Sequence, residues 1–139
     1  MTTVLVTGVF DLLHQEHLTF LKKAKQLGDR LVVGLETDRR VKRIKGENRP
    51  INQQALRQKN LEALKIADLV LILPEKFDEL SDYRQFLQTV RPDILAVSSH
   101  TAHLSIKQRL MQEIGGKVVV AHQYNPQFST SKMLAEVKE

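Results

Sequence analysis

Residues 3–18 read TVLVTGVFDLLHQEHL, and this stretch joins a short apolar run to the beginning of a helical pattern. Residues 3–7 are rich in β-branched side chains, and Gly8 ends the run, which predicts a buried strand. The next apolar residues recur at helical spacing: Leu18, Leu21, Ala24 and Leu27. Gly28 follows in the usual position for a helix end. The segment therefore predicts a strand, a turn and a helix in succession.

The rest of the chain repeats this alternation. Further apolar runs predict strands at residues 31–35, 69–73, 94–97 and 117–121. Helical patterns occupy residues 53–65, 80–90, 103–114 and 129–138, and the basic stretch 37–50 ends in a loop signal, Lys45–Pro50. Continuous apolar strands are typical of a parallel sheet that is buried on both faces. We therefore expect one α/β domain over residues 1–139, a doubly wound, five-stranded parallel sheet of Rossmann-like type.

Composition narrows the possible functions. The chain has 139 residues, 42% of them hydrophobic, and no cysteine, which excludes disulfides and thiolate metal sites. No apolar run is long enough to span a bilayer, and the N-terminus lacks the pattern of a secretory signal, so we expect a cytoplasmic protein. The net charge of +5 favours anionic partners, although a basic surface can also serve solubility alone.

The turn after the first strand has the features of an anion site. Ligands of doubly wound sheets bind beyond the carboxyl ends of the strands, and this turn lies there. Gly8 allows close approach of the backbone, and the first turn of the helix offers unpaired N–H groups. His14 and His17 are three residues apart and share one face of that turn. The sequence therefore predicts a phosphate cradle with two imidazoles directed into it.

Three motifs now support a resemblance to a known family. Gly8–His17 fits the pattern G-x-F-D-x-x-H-x-x-H. Lys45–Pro50, followed by Arg57, is similar to a K-G-x-x-R-P stretch with an arginine on the next helix, and Phe128–Lys132 is similar to an I-S-T-T-K helix start. In this order the motifs resemble those of the cytidylyltransferase-like nucleotidyltransferase superfamily. The region Lys45–Val70 looks most like adenylyltransferase domains that act on heptose 1-phosphate, and the N-terminal third looks equally like glycerol-3-phosphate cytidylyltransferase.

The resemblance implies a reaction and its residues. A nucleoside monophosphate, AMP before CMP, would pass from a nucleoside triphosphate with Mg²⁺ to a phosphorylated sugar or polyol, with release of pyrophosphate. A riboflavin-type phosphate is also possible as the acceptor. The resemblance implies catalytic roles at the phosphates for His14, His17, Lys45 and Arg57. It implies nucleotide contacts for Gly8, Val9, Phe10, Asp11, Ser129, Thr130, Ser131 and Lys132. It also suggests a homodimer, and nothing in it calls for nucleic acid, a membrane or a protein-bound metal.

Three departures from the family pattern bear on function. Glu16 replaces the usual glycine before the second histidine, and a carboxylate that turned inward would disfavour anions. Val9 stands where threonine is common, which removes a hydroxyl. The loop after the fourth strand, usually rich in glycine and aspartate, reads SSHTAH over residues 98–103. Its candidates for shaping the acceptor or base pocket are Ser98, Ser99, His100 and His103.

Other interpretations of the same residues remain open. A nucleotide-binding protein that has lost the chemistry would explain Glu16 and the altered loop, and residues 39–49 could bind nucleic acid, although few aromatic residues are available for stacking. Phe10 could serve core packing alone, and Asp11 fits a turn or helix cap better than a catalytic acid. The four histidines His14, His17, His100 and His103 could hold Zn²⁺ if their loops met, whereas His122 has no evident partner.

Overall fold

A computed structural model of the protein describes residues 1–123. The strands are β1 (Thr3–Gly8), β2 (Arg30–Leu35), β3 (Leu69–Ile72), β4 (Ile94–Ser98) and β5 (Lys117–His122). The helices are α1 (Gln15–Gln26), α2 (Asp38–Lys45), α3 (Gln54–Ala63), α4 (Leu80–Val90) and α5 (Leu104–Glu113). The predicted C-terminal helix, residues 129–138, lies outside the described residues.

The five strands form one sheet in the order β3-β2-β1-β4-β5, and every pairing is parallel. The expected α/β class and the doubly wound, five-stranded parallel sheet are therefore confirmed. The chain winds outward from β1 through β2 and β3, and then crosses to β4 on the other side of β1. This reversal leaves a crevice at the carboxyl ends of β1 and β4, which is where such sheets bind ligands.

Both faces of the sheet are buried, which explains the uninterrupted apolar strands. Because side chains alternate along a strand, Val4 and Val6 face one layer and Leu5 faces the other. The first layer is formed by α1 and α3, with Phe20, Leu21, Ala24 and Leu61 in its core. The second is formed by α4 and α5, with Phe86, Leu87, Leu110 and Met111.

Helix α2 was not predicted from the sequence. The Thr37 hydroxyl caps it by accepting a hydrogen bond from Arg40 N, 3.2 Å away. The basic residues that suggested a solvated loop fall in its last turn, where cations complement the helix dipole. Val41 is its one buried residue, and Ile44 is the one other apolar residue of this short helix, so few apolar positions mark it in the sequence. The predicted loop begins only at Gly46, whose φ of 111° ends the helix.

Among the helices of residues 1–123, none is long and apolar enough to cross a membrane.

Candidate active site

The turn between β1 and α1 is shaped by Gly8 and Phe10. Phe10 has a left-handed backbone, with φ of 48°, and its ring folds back over Gly8. A Cβ atom at position 8 would lie 2.9 Å from Cε2 of that ring, so only glycine fits without displacement. The glycine thus makes room for Phe10 rather than for a ligand directly. Phe10 is buried and meets the His17 ring edge-on, with centroids 5.5 Å apart.

The two histidines of the motif form a stacked pair. Their ring centroids are 3.9 Å apart and their planes differ by 22°. His14 is the N-cap of α1, and its Nδ1 accepts a hydrogen bond from Glu16 N at 3.2 Å. A neutral imidazole that accepts at Nδ1 carries its proton on Nε2, so His14 can donate from Nε2 to a ligand. The structure therefore brings both imidazoles together at the end of β1, as the sequence predicted.

Both histidines favour the neutral form. Burial lowers the pKa of His14, although the Glu16 carboxylate opposes this shift. Burial, followed by repulsion from His14, lowers the pKa of His17 to about 4, with a further contribution from Lys45. At neutral pH both rings are therefore mainly uncharged, and a nearby anion would raise the pKa of each.

Lys45 supplies the positive charge of the histidine corner, the name used here for His14, His17 and Lys45 at the carboxyl end of β1. It is the last residue of α2 and is exposed. Its charge acts on the His17 imidazole, which places the ammonium group within electrostatic reach of the pair. Helix α2 thus delivers Lys45 to the same edge of the sheet as the histidines, and a phosphate bound there would face one full positive charge and two imidazoles.

The buried carboxylate of Asp11 links the turn between β1 and α1 to the loop before α3 through hydrogen bonds, an arrangement called the Asp11 clamp below. Its side chain is 2% exposed. Its two carboxylate oxygens accept from Ile51 N at 2.7 Å and Asn52 N at 2.8 Å, and Arg49 Nε lies 3.3 Å from Oδ2. This geometry occupies the carboxylate with protein donors, which fits the turn role considered from the sequence better than nucleotide contact. Arg49 is buried in the same clamp.

Arg57 occupies a position that does not fit the predicted contact with a phosphate. Its side chain is 0% exposed. The guanidinium donates to three backbone carbonyl oxygens, those of Val9 at 3.0 Å, Glu36 at 2.9 Å and Asn52 at 2.9 Å. Its Nη2 donates to Asp38 Oδ1 at 2.8 Å. Arg57 therefore holds the β1–α1 turn, the end of β2 and α2 in place, and Val9 contributes its carbonyl oxygen to that arrangement.

Glu16 is directed toward β5. Its carboxylate contacts Nε2 of His122, and Nδ1 of the same ring lies 3.1 Å from Lys23 Nζ. Both Glu16 and His122 have largely buried side chains. Sequence reasoning missed this pairing, because the two residues are 106 positions apart and neither fits a known motif. The Glu16 carboxylate, which stands where the family usually has glycine, therefore contacts the His122 side chain.

The loop after β4 makes hydrogen bonds both within itself and to the end of β5. Ser98 Oγ accepts from His100 N at 3.3 Å, and Ser99 N donates to the carbonyl oxygen of His122 at 3.0 Å. His103 is the N-cap of α5, with a left-handed φ of 56°. Within residues 1–123 no group of three or more His, Cys, Asp or Glu side chains could hold a metal ion, so the four motif and loop histidines do not form a zinc site.

A cavity of about 600 Å³ opens on the α4 and α5 side of this edge. Its walls come from the end of β1, the segment after β2, α2, α4 with the segment before it, and α5. They include Thr7, Glu36, Tyr83, His103 and Lys107. Of the loop candidates, His103 lines it, whereas Ser98, Ser99 and His100 do not. The remaining predicted nucleotide contacts, Ser129, Thr130, Ser131 and Lys132, lie outside the described residues.

Comparison with known proteins shows which family this chain matches. The sequence model of the family described as cytidylyltransferase-like matches residues 5–138. A bifunctional protein HldE from Campylobacter fetus is 47% identical over 94 residues, which cover 68% of this chain and 19% of that protein. A bifunctional protein HldE from Campylobacter jejuni is 37% identical over 138 residues, 98% of this chain and 28% of that protein. The chain thus spans between 19% and 28% of the length of these relatives.

Solved structures show the same fold. A lipopolysaccharide core biosynthesis protein from Thermoplasma volcanium superposes with a TM-score of 0.72 and 28% identity, covering 90% of this chain and 99% of that one. A pantoate-beta-alanine ligase from Francisella tularensis superposes with a TM-score of 0.66 at 16% identity, covering 99% of this chain and 69% of that one. The second likeness concerns the fold alone.

Proposed function

The chain belongs to the cytidylyltransferase-like family, and from this premise we propose that it transfers a nucleoside monophosphate from a nucleoside triphosphate to a phosphorylated small molecule. AMP is the favoured group, with CMP next, and pyrophosphate is the second product. The observation that carries the proposal is the stacked pair of His14 and His17, 3.9 Å apart at the carboxyl end of β1. The adjacent Lys45 makes this corner attractive to a polyphosphate.

The chemistry needs charge stabilisation rather than a strong base. An ionised oxygen of the acceptor phosphate forms a bond to the α-phosphorus, and the bond from that phosphorus to the β-phosphate oxygen breaks. Pyrophosphate leaves with the electron pair. Negative charge grows on the α-phosphate and on the leaving group, and donors fixed in advance lower the barrier most effectively. In this proposal His14 and His17 donate to these oxygens, and Lys45 neutralises the α-phosphate or the acceptor phosphate.

Arg57 has a positioning role in this proposal. Its buried hydrogen bonds to Val9 and Glu36 fix the turn that presents the histidines. Asp11 supports the same turn from the other side through Ile51 and Asn52. Ser129, Thr130 and Ser131, with Lys132, remain proposed contacts of the β- and γ-phosphates on the strength of the family resemblance.

Mg²⁺ is proposed to accompany the nucleotide. This small, hard cation prefers oxygen ligands and retains several waters, so phosphate oxygens can hold it without a protein cage. The described residues fit that arrangement, because the corner offers imidazoles and an ammonium group to phosphate. When bound, the ion neutralises phosphate charge and supports the departure of pyrophosphate. The side chains named above bind and orient the phosphates around it.

The relatives support a sugar phosphate as the acceptor. The bifunctional proteins named HldE and the lipopolysaccharide core biosynthesis protein share this domain. The region Lys45–Val70 is the part of the sequence that looks most like domains acting on heptose 1-phosphate. Heptose 1-phosphate is therefore the first acceptor to test, and ATP is the first nucleotide.

The second candidate is a nucleotide-binding protein of the same fold without transfer activity. The substitution of Glu16 for glycine favoured it. In the structure the Glu16 carboxylate contacts His122, so it is not an unpaired charge facing a bound anion. This contact removes part of the reason for the second candidate.

A pyrophosphate-release assay tests the proposal. Wild-type protein with Mg²⁺ is assayed with ATP or CTP and with heptose 1-phosphate or glycerol 3-phosphate. We expect release that depends on the acceptor, and a loss of about 10² to 10³ in kcat for His14→Asn or His17→Asn. Lys22→Met, an exposed change on the same helix, is the control and should keep full activity. Tight nucleotide binding without release for any acceptor would favour the second candidate.

A further inference from the structure

A cluster of three polar side chains links α1 to the end of β5. The His122 ring lies between the other two: its Nε2 contacts the Glu16 carboxylate, and its Nδ1 lies 3.1 Å from Lys23 Nζ. The side chains of His122 and Glu16 are only 10% and 13% exposed. Glu16 and Lys23 are separated by about two turns of α1, so they lie on the same face of the helix. The proposed transfer chemistry uses none of these side chains.

Lys23 determines which nitrogen of His122 carries the proton. An ammonium group can only donate hydrogen bonds, so Nδ1 of His122 accepts from Lys23 and Nε2 carries the proton. The Nε2–H group therefore donates to the Glu16 carboxylate. Because the ring is neutral in this arrangement, the cluster combines one carboxylate with one ammonium group and has no net charge.

The Glu16 carboxylate lies close to the histidine corner. The backbone N–H of Glu16 donates to His14 Nδ1 at 3.2 Å, so the residue is directly beside the stacked pair. Its negative charge acts on both rings, where it opposes the lowering of the pKa of His14 and of His17. A carboxylate within electrostatic reach of these rings is also within reach of a phosphate bound to them, and an unrestrained one would repel that phosphate.

His122 is a firm anchor for this carboxylate. Its backbone pairs with Ser98 of β4, and its carbonyl oxygen accepts from Ser99 N at 3.0 Å. A glutamate side chain has several rotatable bonds, and a contact with a fixed partner restricts the positions that its carboxylate can occupy. The imidazole on β5 therefore decides on which side of α1 the Glu16 charge resides.

We propose that His122 is a positioning residue, which holds the Glu16 carboxylate on the β5 side of α1 and so keeps the histidine corner open to a triphosphate. The inference rests on the proposed function and deepens it. It explains how a carboxylate can stand before the second motif histidine, where the family usually has glycine. Glu16 and His122 then form a compensated pair, in which loss of the imidazole weakens nucleotide binding only while the carboxylate is present.

A double-mutant cycle tests this coupling. His122→Ala removes the partner, Glu16→Gln removes the charge, and a third protein carries both changes. His122→Phe keeps a ring without either nitrogen and so repeats the test with the packing retained, whereas His122→Gln keeps an N–H donor for Glu16. Val120→Ala, which shortens an exposed side chain of the same strand, is the matched control. Calorimetry gives the Kd for ATP with Mg²⁺ at about 0.15 M and about 0.5 M salt, and melting temperatures are recorded without ligand.

We expect His122→Ala and His122→Phe to weaken nucleotide binding about fivefold at the lower salt concentration, because the released carboxylate then repels the phosphates. The higher salt concentration should reduce this loss, since it screens the charges. The protein with both Glu16→Gln and His122→Ala should bind within about twofold of Glu16→Gln alone. His122→Gln and Val120→Ala should bind like wild type.

A merely structural role for His122 gives a different result, because the loss then persists when Glu16→Gln is added. A combined variant that binds as weakly as His122→Ala would therefore overturn the inference. Unchanged nucleotide affinity in both His122→Ala and His122→Phe would overturn it as well.

Failure of the transfer reaction is distinguishable from failure of the inference. If nucleotide binds and the two positions are coupled but wild type releases no pyrophosphate, the positioning role of His122 stands while the proposed activity falls. A wild-type protein that binds no nucleoside triphosphate would overturn both.

Discussion

The fully buried guanidinium of Arg57 donates from Nη1 to the carbonyl oxygen of Val9, 3.0 Å away, and so ties α3 to the turn that carries the histidines. Residues 48 positions apart in the sequence are joined by this bond. The motif arginine thus has a structural role, since the same side chain also donates to the carbonyl oxygens of Glu36 and Asn52. The geometry of the histidine corner therefore depends on a side chain that is fully buried.

Removal of this side chain should destabilise the fold. Arg57→Met leaves three backbone carbonyl oxygens and the Asp38 carboxylate without their donor. We expect a loss of about 3 kcal/mol in the free energy of unfolding. Lys59→Met, an exposed change on the same helix, should stay within about 0.5 kcal/mol of wild type. Urea denaturation measures both, and equal stability of the two variants would contradict the structural role.

Asp11→Asn should loosen the loop before α3. The carboxylate accepts from two backbone N–H groups, at Ile51 and Asn52, whereas an amide presents one acceptor oxygen and one NH₂ donor. One buried N–H group then loses its acceptor, and we expect a loss of about 2 kcal/mol in unfolding free energy. Glu47→Gln alters an exposed pair with Lys42 and should change stability by about 1 kcal/mol or less. An Asp11→Asn variant as stable as wild type would contradict the stabilising role of the Asp11 carboxylate.

The buried histidine should make stability depend on pH. The pKa of His17 falls from an ordinary value near 6.5 to about 4 on folding, so folding favours the neutral ring. The contribution is fully present above pH 6.5 and is lost as the pH falls toward 4. Its size is on the order of 3 kcal/mol, from the pKa difference.

His17→Gln isolates that contribution. The difference in unfolding free energy between pH 7 and pH 4.5 should be smaller in this variant than in wild type, whatever the stability of the variant at pH 7. Chemical denaturation at several pH values measures it. Parallel pH profiles of the two proteins would mean that His17 keeps an ordinary pKa in the folded protein.

Glu16→Gln should have little effect on nucleotide affinity. The carboxylate is directed toward His122 on β5 and contacts that ring, so we expect it to repel a bound triphosphate only weakly. We expect the Kd for ATP with Mg²⁺, measured by calorimetry at about 0.15 M salt, to change by less than about threefold. Tightening by tenfold or more would show instead that Glu16 repels the nucleotide.

The fold was predictable because the strands are continuous apolar runs separated by helical patterns. Val4, Leu5 and Val6 show the principle, since alternate residues serve opposite layers and all three must be apolar. Helix α2 escaped prediction because Val41 is its one buried residue and its basic residues resemble a solvated loop. The apolar pattern of a helix in the sequence reflects how many of its side chains are buried, and α2 buries few.

The sequence predicted only those parts of the site that are formed by residues close to one another in the chain. His14 and His17 lie one helical turn apart, so their spacing alone predicted a shared face. The bonds of Arg57 to Val9 and of Glu16 to His122 join distant segments, and their partners follow from the sheet order rather than from spacing.

The central claim is that the paired imidazoles of His14 and His17 bind the triphosphate, and NMR of the ¹⁵N-labelled rings tests it most directly. The wild-type protein is titrated with ATP and with CTP, each with Mg²⁺, until thermal stability no longer rises. The account predicts that without nucleotide His14 is the neutral form protonated at Nε2, and that nucleotide shifts both ring signals and raises both pKa values. Ring signals and pKa values that stay unchanged at saturating nucleotide would contradict it.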